Sequence, residues 1–339
     1  MEKSRLGIFI VFGMFYSCSL HTNKNITPDV ISSDSVVQEV VQKEPVIEPV
    51  RAKDIRVSKE LLYDKYTLDD IYPYKDTTRC FQWDKIKKGL ALLETIQQEH
   101  SQWGIVQNYK NRNGEAPLVR HYARNAYGRV ADTLGVERYQ SVPLFLLTDT
   151  LVPERYVQDG ELTRLVGSEG SFVRAQPIFT GGEWMIPQKY VKAIGDTVVF
   201  DHAIFIDRQN QNIATLERVK AKKWKVRSMN PSTTGRHRPP YAQETPLGMF
   251  VLQEKKVKMV YLKDGSKATG GYAPYASRFT DGAYIHGVPV AVPRTAQIEY
   301  SWSLGTTPQS HMCVRNATSH AKFVFEWAPV NETIIFVLE

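Results

Sequence analysis

Cysteine is scarce in this chain, with only three in 339 residues, at positions 18, 80 and 313. That scarcity excludes a disulfide-built scaffold. No Cys-x-x-Cys or His-x-x-x-His pair occurs, so a zinc site assembled from His286, His311 and Cys313 would lack the usual ligand spacing. No apolar run beyond residue 16 is long enough to cross a bilayer, and no segment repeats at a fixed period. What is present is an ordinary globular composition, 42% hydrophobic and 23% charged, with a formal net charge of +7. The excess lysines are scattered, which reads as a solvated surface and not as a nucleic-acid patch.

The N-terminus departs from that composition. Lys3 and Arg5 precede an uninterrupted apolar run, Leu6 to Tyr16. As a helix this run would be about 17 Å long, against a hydrocarbon core of ~30 Å. It is too short to span and reads as a secretory signal over residues 1–17, with Cys18 placed as in a bacterial lipoprotein and expected to carry lipid. Phe15 and Tyr16 depart from the usual lipobox, and ordinary signal cleavage is the alternative. Residues 18–56, rich in Ser, Pro and acidic residues and without an aromatic, are expected to be a flexible tether with a reach of ~35 Å. A short valine-rich strand within 36–50 is the competing expectation. Export leaves Cys80 and Cys313 in the folded body, where one disulfide can form; it would silence Cys313 as a nucleophile.

Over 84–100, Ile86, Leu90, Leu93 and Ile96 fall on one helical face, the stripe of an amphipathic helix docked on a core. Short β-type runs follow, "VPLFLLT", "TRLVG", "SFVRAQPIF" and "EWMIPQKYVKAI". Residues 57–195 are therefore expected to form a small mixed α/β accessory domain, SH3-like, ahead of a mainly β domain over 196–339. In that second domain "KWKVRS" alternates Trp224 and Val226 with Lys223, Lys225 and Arg227, a strand with one wet face. Near the end, Thr318 or Ser319 is expected to N-cap a helix whose Phe323 and Trp327 face inward, stopped by Pro329 and followed by the strand "TIIFV".

The chemistry points to "SHMCVRN". A free thiol is mostly protonated near neutrality, and an imidazole or a helix N-terminus lowers its pKa. Cys313 has His311 two residues before it, His286 at the end of an expected strand and a helix just downstream. Backbone N–H groups around Met312 and Cys313 can stabilise an oxyanion in acyl transfer, and Arg315 can pair with a carboxylate.

Five segments, in order, resemble the L,D-transpeptidases with a YkuD-type catalytic domain. They are "AIFIDRQNQNIATLE", "PSTTG" with "TPLGMF", "PYASRFTDGAYIHG", "SHMCVRN" and "AKFVFEWAPVNETIIFV". The resemblance implies a β-sandwich with one capping helix, Cys313 as nucleophile, His286 as general base, Ser310 orienting the imidazole, and His311 as a structural or oxyanion-supporting residue. It implies substrate contacts from Arg315, Tyr275, Met312 and Asn316. It also implies peptidoglycan stem peptides as partners, a tetrapeptide donor and a diamino-acid acceptor, joined in a 3→3 cross-link through a thioester with release of D-alanine. No metal or cofactor is implied. The expected location is the periplasm, with the membrane reached through the lipid anchor. Hydrolysis of the same thioester, making an L,D-carboxypeptidase, and a non-catalytic cell-wall-binding lipoprotein are the alternatives. Two departures stand out. Met312 replaces the motif's usual glycine, where φ > 0 would cost ~1–2 kcal/mol, and is expected to shape the donor pocket. The stretch between His286 and Ser310 is also longer than usual and is expected to form a lid or alter acceptor choice.

Overall fold

Alternation along "HAIFID" sets the layer order of the molecule. In the strand His202–Asp207, Ala203 and Phe205 pack toward one face and Ile204 and Ile206 toward the other, and all four are buried. A strand buried on both sides must lie at the centre of its sheet. The computed structural model describes residues 48–339, and there this strand is flanked by Asn212–Lys220, antiparallel, and by the C-terminal strand Thr333–Leu338, parallel. The expected signal peptide, Cys18 and most of the tether lie outside the described residues. Lys223–Pro231 and Gly248–Val251 extend the sheet, and Arg56–Lys59 adds a sixth strand in parallel to Lys223–Pro231.

One face of this sheet is covered by helix α1, Trp83–Ile96, whose stripe residues Ile86, Leu90, Leu93 and Ile96 are all buried as their spacing predicts. The other face packs on a second sheet built from the hairpin Glu254–Leu262 and Thr269–Thr280, then Ala283–His286 and Val314–Arg315. Helix α2, Thr318–Trp327, closes that side, burying Val324 fully and Phe323 and Trp327 in part. The fold is thus mainly β, a sandwich of two sheets with α2 beside it. Thr318 is the first residue of α2 and not its cap. Glu299 takes that part instead, accepting the Ser319 N–H at 3.1 Å, so a carboxylate from the long 287–309 stretch sits at the positive end of the helix.

The segment before residue 196 carries a five-stranded antiparallel sheet in the order Trp184–Pro187, Phe172–Pro177, Leu162–Glu169, Gln102–Val106, Val191–Gly195. All described residues nonetheless fall within one compact unit, Val46–Glu339, so this segment is packed onto the sandwich. The junction is polar and buried. Asp159, fully enclosed, accepts the N–H groups of Asn108, Tyr109 and Asp281 and pairs with Arg278 at 2.5 Å. Burying a carboxylate is costly unless its oxygens are so fully partnered. Gly160, next in sequence, has φ +93° and lies so close to the sandwich that a Cβ would stand 2.0 Å from the Phe279 carbonyl oxygen.

The added edge strand also changes one expected surface. Trp224 and Val226 are buried as the alternation requires, but Arg227 is not on a wet face. It is buried between Glu217 at 2.8 Å and Glu60 at 2.9 Å, because Arg56–Lys59 brings Glu60 beside it. Among the described residues, no helix is long and apolar enough to cross a membrane.

Candidate active site

Ala283–His286 and Val314–Arg315 run in parallel, with Ile285 opposite Val314 and His286 opposite Arg315. Alternate strand positions share a face. Ile285 and Val314 therefore enter the core between the sheets, while His286, Cys313 and Arg315 line a cavity of about 520 Å³ on the other face. Ser310 and His311 line it as well, and the hairpin supplies Met259, Tyr261 and Asp264 as its far wall. Five of the expected site residues are thus brought together.

Both members of the expected pair are held neutral by burial. The Cys313 thiol is pushed up to about 11 by enclosure, against which a Tyr284 N–H directed at the sulfur and the positive Arg315 act in the opposite direction. The thiol donates to the Gly282 carbonyl at 3.5 Å. His286 is pulled down to about 4, again chiefly by burial. Its Nδ1 donates to the Gly287 carbonyl at 2.6 Å, which leaves Nε2 as the proton acceptor of the neutral ring. The His286 carbonyl in turn accepts the Asn316 N–H at 2.9 Å, locking the strand beneath the ring.

The imidazole is therefore oriented by Gly287 and not by Ser310. The Ser310 hydroxyl donates to the Cys313 carbonyl, closing the turn 310–313 from within. The loops "PSTTG" and "TPLGMF" quoted above meet at the same turn. Thr245 accepts the Gly235 N–H at 2.9 Å and donates to the Met312 carbonyl at 2.7 Å. Gly235 approaches so closely that a Cβ would stand 2.2 Å from the Gln243 carbonyl oxygen and 2.7 Å from the Met312 Cα. Glycine is required there by contact. At Met312 itself φ is +89°, the backbone the motif's usual glycine adopts without strain. The Met312 side chain turns into the core between the sheets and does not shape the cavity. The Cys313 N–H has no acceptor among the described residues and is available to an oxyanion.

Two further residues lie elsewhere than their expected roles require. Tyr275 turns toward α2, its ring 5.9 Å from that of Phe325. The Asn316 side chain is buried against His320, accepting at 3.0 Å. Neither lines the cavity. Cys80 and Cys313 are both free thiols, Cys80 on the hairpin strand Thr77–Cys80. Among the described residues no three His, Cys, Asp or Glu side chains converge to hold a metal ion.

Arg315 is an enclosed cation in the cavity wall. Burial pulls its pKa down, its Nε has no hydrogen-bond partner, and no carboxylate pairs with it among the described residues. An enclosed, unpaired guanidinium is a receptor for an anion. His311 stands at the cavity mouth, its Nε2 3.0 Å from Asp264 at the tip of the hairpin. Asp264, the Tyr284 N–H and Thr245 in its bridging role were not singled out from sequence. Only Thr245 had a signal, its place in "TPLGMF".

Residues 201–337 match the YkuD family, described as the L,D-transpeptidase catalytic domain. Among the solved structures that match the chain is a fused Zn-dependent amidase/peptidase/peptidoglycan-binding domain-containing protein from Clostridium acetobutylicum, 17% identical, covering 40% of this chain and 51% of that one with a TM-score of 0.30. The chain thus spans about half the length of that protein. An L,D-transpeptidase from Mycobacterium smegmatis is 16% identical over 52% of this chain and 82% of its own, TM-score 0.34. One from Mycobacterium tuberculosis H37Rv is 17% identical over 59% and 77%, TM-score 0.30. No curated protein matches the chain.

Proposed function

From a chain that carries a YkuD-type L,D-transpeptidase catalytic domain over residues 201–337, we infer a peptidoglycan L,D-transpeptidase that forms 3→3 cross-links through a Cys313 thioester. The observation that carries the reading is the seating of Cys313, His286 and Arg315 on one sheet face around one cavity.

With the thiol pushed up and the imidazole pulled down, the resting pair is thiol and neutral imidazole. His286 then works as a general base, its Nε2 taking the proton as Sγ attacks the carbonyl of the third residue of a tetrapeptide stem. The Cys313 N–H faces the oxygen that gains charge, and Arg315 pairs with a carboxylate of the donor. The C–N bond to D-alanine breaks, the leaving amine receives the proton from His286, and a thioester remains. A side-chain amine of a second stem attacks that thioester, a C–N bond replaces the C–S bond, and the amine's proton returns through His286 to sulfur. Water in place of the amine gives the L,D-carboxypeptidase outcome.

The substrate lies outside the cytoplasmic membrane, so the reading carries export with it, and lipid on Cys18 would hold the enzyme at a membrane beside the wall. Metabolic labelling with a fatty acid tests the anchor: label lost in Cys18→Ser supports it, and label retained overturns it.

Incubation of the reduced protein with disaccharide-tetrapeptide tests the reaction. D-alanine release and a 3→3 dimer, both abolished in Cys313→Ala, are expected. Folded, reduced protein that gives neither would overturn the reading.

A further inference from the structure

Beyond the His311–Asp264 bridge the cleft does not end. The same two residues line a second groove of about 300 Å³, with Arg236, Arg238, Pro240 and Tyr241 around it. Arg236 follows the glycine that packs on the Met312 turn, and its N–H donates to the Ser310 carbonyl at 3.1 Å, which fixes it beside the nucleophile's loop. The Arg236 Nε is buried without a hydrogen-bond partner. Neither Arg236 nor Arg238 has a carboxylate partner among the described residues; the one acid of the groove, Asp264, is engaged by His311. Arg236 is also near enough to Arg315 to add to its positive field. Two guanidinium sites, one on either side of a side-chain bridge and neither in an ion pair among the described residues, fit a reaction between two anionic peptides.

We propose that the groove between Arg236, Arg238 and the His311–Asp264 bridge is a second carboxylate subsite, which seats the acceptor peptide whose amine resolves the Cys313 thioester. The inference rests on the transpeptidase reading above. The acyl chain fills the cavity that holds Arg315 once the thioester has formed, so the amine needs a separate approach. A planar guanidinium fork binds a carboxylate through two parallel hydrogen bonds, which sets orientation as well as affinity. Arg236, partly enclosed beside Ser310, supplies the fixed partner; the exposed Arg238 supplies a second charge at the rim.

Two measurements test this. The first is binding, by calorimetry, of an acceptor-type stem peptide and of its fully amidated counterpart to the full chain carrying Cys313→Ala and Arg315→Gln, which removes turnover and the first anion site. The carboxylate peptide is expected to bind about tenfold more tightly, and adding Arg236→Gln is expected to bring the two within about twofold, the scale of a hydrogen bond to a charged group. A carboxylate preference that survives Arg236→Gln, or no preference at the start, overturns the proposal whatever the chain's activity. The second is turnover. Arg238→Gln, on an exposed residue that does not endanger folding, and Arg236→Gln are expected to leave donor acylation, read as D-alanine release, within about twofold while the acceptor KM rises by about tenfold and hydrolysed product replaces dimer. Acylation that falls in step with cross-linking assigns the carboxylate to the donor and overturns the acceptor role. A wild-type chain that releases no D-alanine refutes the transpeptidase reading, and the binding measurement still decides the groove.

Discussion

Replacing Met312 by glycine and, separately, by alanine separates backbone strain from packing at the turn before the nucleophile. Both variants lose the same side chain beyond Cβ, which packs against the core between the sheets. They differ in what the backbone requires. At φ +89° a residue with a Cβ carries ~1–3 kcal/mol of strain. Against this, alanine stabilises the folded state over glycine by ~0.4–1 kcal/mol, because its unfolded chain has less conformational freedom to lose. The turn cannot relax to escape the strain, because the Thr245 hydroxyl holds the Met312 carbonyl and the Ser310 hydroxyl holds that of Cys313. Met312→Gly should therefore be the more stable variant, by about 1 kcal/mol, the reverse of the order found at ordinary positions. Urea unfolding followed by tryptophan fluorescence reads the difference directly; thermal melts should separate by ~2 °C or more. Met312→Ala equal to or more stable than Met312→Gly would refute the strain argument.

Other consequences follow from the same geometry. With its thiol at about 11, Cys313 should react with iodoacetamide about tenfold faster for each pH unit from 7 toward 10. A rate already level below pH 8 would mean a preformed thiolate. His286 and His320 are buried neutral, at about 4 and about 3, so their folded pKa values lie below the unfolded value. The stability they hold is present above pH ~6.5 and is lost as pH falls toward 3, on the order of 3 kcal/mol for His286. Acid titration of the folding free energy should slope through that window, and a flat profile from pH 7 to 4 would contradict it. Gly235→Ala places a Cβ against backbone on two sides and should cost roughly 1–3 kcal/mol together with most activity. Gly167→Ala, facing open space, is the control, and equal effects in the two would contradict the contact argument.

What the sequence disclosed was what local period and local motif can carry. The stripe of α1 was legible because Ile86, Leu90, Leu93 and Ile96 recur at helical spacing, and all four are buried. Cys313, His286 and Arg315 were singled out because their neighbours match a known pattern, and the fold seats all three around one cavity. Arg227 was misplaced because its burial depends on a strand more than a hundred residues away, and no period within "KWKVRS" encodes a partner. The hydrogen-bond partner of Ser310 was hidden for a similar reason. A hydroxyl beside a motif histidine can reach several acceptors, and the closed turn settles on the Cys313 carbonyl. Met312 showed its strain in sequence, as a side chain where glycine is usual, but not the direction of that side chain. The His311–Asp264 bridge joins a motif to a hairpin tip, a pairing that only the folded sheet creates.

The most direct test is peptide mapping of the protein after brief exposure to disaccharide-tetrapeptide. A single acyl adduct, the donor less D-alanine, is expected on the peptide containing Cys313. Cys313→Ala should carry none and Tyr275→Phe should acquire it undiminished. An adduct on any other residue, or cross-linked dimer formed by Cys313→Ala, would contradict it.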